Sequence, residues 1–454
     1  MIANVPKKLS KQPLFKQRLL CEPLSMWCVN FIRTGLLFLT SGIFVSSVLA
    51  ADSSALPVST AKTPPVSGTV INRANLETYR AWLVPALADL ISSGHTNLVV
   101  GDYISLPVHP NYLAATNTHA GTVTLGQTVG DLQNYVSGRP FPSDPDLNDP
   151  RAGEKAAWNM RYGYGPDETE TLLMTWRYKD MSTNREERSI EMYGALMRFD
   201  HRHTREPIPA IEHNPASLYS ALYLKVDYPY DIRNTQLLTH TNLDDAEPEQ
   251  AWIYLNTQRR VKRLGTGQKT DAFLGSDIMI EDFLGYNGRI RDMTWSYEGQ
   301  SELLTPVYGF DALPTANKIK LDEHTVIDFS GAGACFPKIT WQPRPVYRVR
   351  ATPVDPSHPI GHRVFYLDAA TYVPLMTEIY DRSEKLWKLG VVAVSDSSQH
   401  GPENKEWQGQ ITDAVAMIDV QAEHCTTIQF RIQIPEKDLR PKMFTTQQMR
   451  SAGR

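Results

Sequence analysis

The chain lacks nearly every local feature from which an activity is usually read. Its 454 residues hold no Gly-x-Ser-x-Gly, no His-Glu-x-x-His and no phosphate-cradling Gly-x-x-x-x-Gly-Lys loop. The Gly-rich run Ser330–Gly331–Ala332–Gly333 is followed by neither lysine nor a helical pattern and reads as a plain loop. These absences remove the elbow, zinc-helix and P-loop routes to hydrolysis and nucleotide chemistry. Cysteine is scarce, four residues in all, and neither Cys335 nor Cys425 sits in the Cys-x-x-Cys or Cys/His spacing that a structural zinc site needs. Charge of one sign is missing too. Lysine and arginine total 46 against 50 acidic residues, a net −4. Without a basic surplus there is no surface for phosphate neutralisation, so no nucleic-acid partner is expected. No repeat recurs at a solenoid or propeller period.

What is present begins with one long apolar run, Phe31–Ala50. It follows Lys7, Lys8, Lys11, Lys16 and Arg18 and ends in small residues, with Val48 and Ala50 where a signal peptidase cuts. Residues 1–50 are read as a cleavable export signal, cut after Ala50, with Met1 or Met26 as the start. An uncleaved anchor is the rival, since the run is just long enough to span a bilayer. Removal of residues 1–50 takes six basic residues and one acidic residue and moves the net charge from −4 to −9. The mature protein is expected in the periplasm. Cys21 and Cys28 leave with the signal, so Cys335 and Cys425 remain as an even pair in an oxidising compartment and are expected to form a disulfide.

Residues 51–69, rich in Ser, Thr, Ala and Pro, read as a flexible leader. A helix is expected over 75–92, capped by Asn75 and kinked at Pro85, and a second over 126–138. From Glu168 the pattern turns to strands. Thirteen runs rich in β-branched and aromatic residues are bounded by turn formers: 168–178, 188–199, 222–228, 235–241, 250–256, 259–264, 293–300, 344–351, 362–368, 373–380, 386–395, 409–420 and 424–433. Short turns between them predict an antiparallel meander, not strand–helix–strand units. The expected division is 70–150 helical and irregular, 151–440 a single β-rich domain, and 441–454 a tail.

Several clusters invite chemistry. Arg259, Arg260, Lys262 and Arg263 form a basic run that reads either as a cationic lip for phosphate or carboxylate headgroups or as a solvated hairpin paired with Asp244–Glu247. Ser276–Gly285 reads as a short capped helix, with Ile278 and Phe283 on its apolar faces, serving as a lid on a greasy groove or as a core plug. Its carboxylates, with Asp271, raise a glycosidase-like reading that would need two acids across a cleft. His201 and His203 would share a face if their run is a strand, with Glu212 or His213 as a third metal ligand. Trp252 with Tyr254, and Trp295 with Tyr297, present paired rings on one strand face, as core or as cavity lining.

The block 228–288 closely resembles the signature of the domain of unknown function 1329 family. GRPFP (138–142), AAWNMRYGY (156–164) and FYLDAATYVPLMTEIYDRSEKLWK (365–388) extend the likeness over about residues 70–440. The resemblance implies kinship with the periplasmic outer-membrane lipoprotein carriers. It implies an α+β, mainly antiparallel fold: a large unclosed β-barrel around an apolar cavity, with helices as lid or plug. The implied function is a non-catalytic carrier or chaperone for a lipid-like molecule, with no cofactor. The implied partners are an exporter of the resistance-nodulation-division type and an outer-membrane protein. Candidate ligand residues are Arg259, Arg260, Lys262, Arg263, Ile278, Phe283, Trp252 and Tyr254. Two other classes stay open: a secreted hydrolase or metal-dependent enzyme, and an envelope docking protein without ligand.

Overall fold

The computed structural model describes residues 65–401, 404–405 and 407–453. The expected export signal and the leader up to residue 64 lie outside the described residues. Fifteen strands form one sheet. In chain order these are β1 (Val70–Ile71), β2 (Leu98–Val100), β3 (Glu168–Asp180), β4 (Arg185–Arg198), β5 (Leu218–Tyr228), β6 (Gln236–Asn242), β7 (Gln250–Leu255), β8 (Arg260–Arg263), β9 (Met293–Thr305), β10 (Thr340–Pro353), β11 (Ile360–Asp368), β12 (Pro374–Asp381), β13 (Leu386–Asp396), β14 (Gln410–Asp419) and β15 (His424–Gln433). The last thirteen overlap the thirteen runs read from the sequence.

The strands make two meanders. One runs β3 to β8 and the other β9 to β15, and they join where β15 pairs antiparallel with β3. The short β2 pairs parallel, against the start of β10. The sheet is curved but not closed, so β8 and β9 lie at different edges. The chain between them, residues 264–292, lies against the inner face and is called the strap below.

Both faces of the sheet are buried over much of its area. Along β11, Val364 and Tyr366 face outward into one core cluster, while Phe365 and Leu367 face inward into another. That two-sided burial explains why the run reads as almost continuously apolar. Outside lies helix α2 (Pro85–Ser92), whose Leu87 and Ile91 join Leu389, Val391 and Ala414. The Ala86 N–H at its first turn donates to the buried Glu378 carboxylate at 2.8 Å, which also accepts from Tyr366 and Tyr380. Inside, helix α4 (Ala152–Arg161) packs Trp158 against Trp295, Tyr347 and Phe365 and fills the β9–β11 end.

Three expectations change. The helix over 75–92 is divided: α1 (Leu76–Tyr79) is short, Leu83 and Val84 are extended, and Pro85 starts a new helix, where its missing N–H costs nothing. Asn75 accepts from the Asn72 N–H rather than capping a helical amide. Residues 126–138 form no helix. Thr124–Leu125 pairs with Leu132–Gln133 in a small hairpin whose turn carries Gly130 at φ +87°, outside the helical region. The helices α3 (Pro110–Thr118), α4 and α5 (Thr446–Ala452) were not read from the sequence.

A disulfide joins Cys335 to Cys425 across 90 residues, and both are fully buried in the outer cluster. Opening it releases a long loop in the unfolded chain. Replacing both cysteines by alanine should therefore lower the unfolding free energy by about 2–4 kcal/mol. Urea titration checks this, and thiol reductant should move the wild-type midpoint in the same direction. An unmoved midpoint refutes it.

Candidate ligand-binding site

Alternation along each strand sends a second set of side chains to the inner face. From β3–β5 come Met174, Trp176, Leu222 and Leu224, and from β12–β15 come Ile379, Val392, Met417 and Phe430. They surround a cavity of about 410 Å³. On β13 one lining residue has no side chain. Thr377, Gly390 and Met417 are direct cross-strand neighbours, and all three line the cavity. A Cβ at Gly390 would meet Met417 Cε at 3.6 Å and Thr377 Cβ at 3.7 Å, ordinary contact distances, so the glycine leaves room that larger residues would occupy.

The strap closes this space, but not as the helix expected over 276–284. Between Phe273 and Leu284 it has only single 3₁₀ turns, at Phe273–Gly275 and Ile280–Asp282, with extended chain between them. Leu274, Gly275, Leu284 and Gly285 all have positive φ, which a right-handed helix cannot hold. Ser276 closes a local turn by accepting from the Ile278 N–H at 3.2 Å. The irregular path turns Phe273, Ile278, Ile280 and Phe283 onto the sheet in one cluster with Trp176, Leu224 and Ile428. Phe273 and Phe283 both meet Trp176 edge-on. Leu284, at the cavity mouth, remains 62% exposed.

Charge fixes the middle of the strap at two points. Asp277 is held by β15: its carboxylate lies 2.8 Å from His424 Nδ1 and accepts from the Thr426 hydroxyl at 2.7 Å. Lys388 of β13 donates to the Asp277 carbonyl at 2.6 Å. Glu281 and Asp282 are held by β11: the buried Arg363 reaches Glu281 Oε2 at 2.8 Å and Asp282 Oδ1 at 2.9 Å. His358 Nε2 lies 3.3 Å from Glu281. Burial works to raise the Glu281 carboxyl, but Arg363 and His358 outweigh it and hold it down at about 2. The hydrogen bond to Asp277 raises the His424 imidazole above its ordinary value.

The expected ligand residues divide. Ile278 and Phe283 line the cavity. Arg260, Lys262 and Arg263 are exposed on β8, at an edge of the sheet, and Arg259 sits in the preceding turn at φ +49°. Trp252 and Tyr254 do not face the cavity. They point to the outer side, where Tyr254 donates to the Gly453 carbonyl at 2.8 Å and Trp252 packs with His240. Spacing placed the two rings on one face but could not say which, because the deciding partners lie at the C-terminus. Asp245 of the acidic loop does not meet the basic run; it accepts from the Ile290 and Arg291 amides.

His201 and His203 do not lie on a strand. His201 has φ +57° and meets the Val136 carbonyl through Nδ1, while His203 packs on Tyr112 with Asp167 3.6 Å away. Burial lowers both, His203 to about 4. Glu212 and His213 are exposed. Among the described residues no cluster of His, Cys, Asp or Glu has metal-binding geometry.

Sequence reasoning missed a buried Ser395–His400–Asp413 set. It resembles a hydrolytic triad only in composition. Ser395 Oγ at 2.6 Å and Asp413 Oδ1 at 2.7 Å both approach the same imidazole nitrogen, Nε2. A relay needs the acid and the hydroxyl on opposite nitrogens.

The profile of the family described as Protein of unknown function (DUF1329) matches residues 70–450. The uncharacterized protein PA3922 of Pseudomonas aeruginosa is 24% identical over 361 residues, 74% of this chain and 70% of that protein. A DUF1329 family protein from Desulfovibrio piger is 13% identical, with TM-score 0.44, over 68% of this chain and 100% of that one. A LolA superfamily protein, NE2245 of Nitrosomonas europaea, is 10% identical, with TM-score 0.37, over 65% and 98%.

Two tests follow from the anchors. Arg363→Met leaves Asp282 buried without its cation and Glu281 with only His358 beside it, and should destabilise the protein by about 3–5 kcal/mol. Adding Glu281→Gln and Asp282→Asn should recover part of that loss in urea titrations. The second test is pH. Glu281 is depressed, so its contribution is complete above its ordinary value of 4.5 and fades as pH falls towards 2. His424 is raised, so its contribution is complete below 6.5 and is lost as pH rises through its folded value. Hydrogen exchange of strap amides, corrected for intrinsic rate, should quicken as pH rises above 6.5. His424→Gln should flatten that rise, and an unchanged rise in the variant refutes the His424 anchor.

Proposed function

The chain belongs to the DUF1329 family, and from that premise we propose that it is a non-catalytic carrier of a single apolar or amphipathic small molecule. The observation that carries this reading is the apolar cavity between the inner sheet face and the strap. Its volume of about 410 Å³ lies within the range of small-molecule sites. Burying a hydrocarbon chain there gains about 0.8 kcal/mol per CH₂. No bond-making group is required. The carboxylates of Asp277, Glu281 and Asp282, considered above as acid–base candidates, are occupied in holding the strap.

The Cys335–Cys425 bridge supports an oxidising compartment. Together with the apolar run Phe31–Ala50, it favours a periplasmic site of action. A carrier of this kind would take cargo from one envelope component and give it to another. An exporter and an outer-membrane protein are the partners that suit such a handover.

The test is uptake. The purified protein, stripped of bound lipid, should increase the fluorescence of an apolar probe saturably with one site per chain. Gly390→Leu adds a side chain to the cavity wall without a backbone conflict. It should weaken uptake at least about tenfold, as expected for lost apolar burial of 1.4 kcal/mol or more. Its thermal midpoint should hold within a few degrees. Uptake that is undiminished in Gly390→Leu, or absent in the wild type, overturns the carrier reading.

A further inference from the structure

The inner face does not stop at the cavity. Leu224 on β5 lines the cavity and is directly paired with Leu237 on β6. Leu237 is paired with Ile253 on β7, and Ile253 with Lys262 on β8. Directly opposed residues of antiparallel strands share a face. These four side chains therefore form one row on the inner side, crossing three strand spacings, about 14 Å in all. Exposure rises along it: Leu224 and Leu237 are buried, Ile253 is half-buried and Lys262 is exposed. Arg260, two residues from Lys262 on the same strand, faces the same way. Arg263 is opposed to Trp252 and faces the outer side. Among the described residues neither Arg260 nor Lys262 has an ion-pair partner.

An apolar row that leaves a cavity and ends in two unpaired cations is shaped for an amphiphile of one charge type. We propose that the cargo is an anionic amphiphile. Its carboxylate or phosphate headgroup is held at Arg260 and Lys262, and its hydrocarbon tail follows Ile253 and Leu237 into the cavity. The inference rests on the carrier reading and adds the chemical class of the cargo. Leu237 lies in the same cluster as strap residues Phe273 and Ile278, so the tail passes beneath the strap and loading requires the strap to lift.

Displacement of the apolar probe by dodecanoate, dodecyl phosphate and dodecanol tests it on the full-length purified protein. The two anions should displace the probe at about fivefold lower concentration than the alcohol at low ionic strength, as expected for two exposed cations. The preference should fade in high salt. Arg260→Gln with Lys262→Gln should bring the three compounds to near parity, while Arg263→Gln should leave the preference intact. Equal displacement by all three in the wild type, or a preference that survives the double variant, overturns the headgroup site and leaves the carrier reading standing. If inorganic phosphate competes as well as dodecyl phosphate, the edge binds free anions and the amphiphile assignment falls. If none of the three displaces the probe, the carrier reading and this inference fall together.

Discussion

An open sheet with an apolar inner face imposes a crossing. β8 and β9 are consecutive in the chain, yet they lie at different edges of the sheet. The segment between them has to cross the concave side, and that side carries Trp176, Leu224 and Ile428, which cannot be left in water. One stretch of chain thus makes the connection and covers the core at once. A closed barrel would remove both edges. Here the opening is kept, and what covers it is a strap tied at both ends.

The way the strap is held follows from that tether. Apolar contact alone is non-directional and would allow it to settle in more than one register. Arg363 presents a planar fork to two successive carboxylates, and Asp277 meets a hydroxyl and an imidazole on a different strand. These contacts are satisfied in one seating. Buried ion pairs are poor sources of net stability, because desolvation offsets their attraction, but separating them is costly. They set the strap in one register over the inner face. The exposed Leu284 and the positive-φ residues beside it lie where the strap meets the cavity mouth.

The sheet was legible in the sequence because its code is local. Period-two runs of β-branched and aromatic residues bounded by turn formers gave all thirteen long strands. The strap was not, because its structure is decided by distant residues. Asp277 is read by His424, 147 positions away, and Asp282 by Arg363, 81 away. Taken alone, a Ser, an Asp, an apolar stretch and a Gly satisfy a helix as well as they satisfy this path. Trp252 and Tyr254 show the same limit. Alternation fixes that they share a face, and only the packing of residues 444–453 assigns that face to the outside. Lys262 is the complement: its face follows from three successive registers that the sequence does not print.

The filled and hollow ends of the inner face explain why the cavity persists. At the β9–β11 end, Trp158 of α4 and Tyr286 of the strap pack against Trp295, Tyr347 and Phe365 and leave little space. At the other end Gly390, Thr377 and Thr171 stand where large residues would close the gap. Cavities left by truncating packed cores cost about 24 cal/mol per Å³. A volume of about 410 Å³ unfilled by the protein's own side chains thus corresponds to a cost on the order of 10 kcal/mol. That is comparable with the entire net stability of a typical domain. Larger side chains at a few inner positions would reclaim much of it at no cost to the outer core, since the two faces are separated by the sheet itself. A fold that fills one end of its interior with aromatic rings and holds the other open with glycine and threonine is maintaining that space. Maintained apolar volume is the feature on which the proposed carrier role rests.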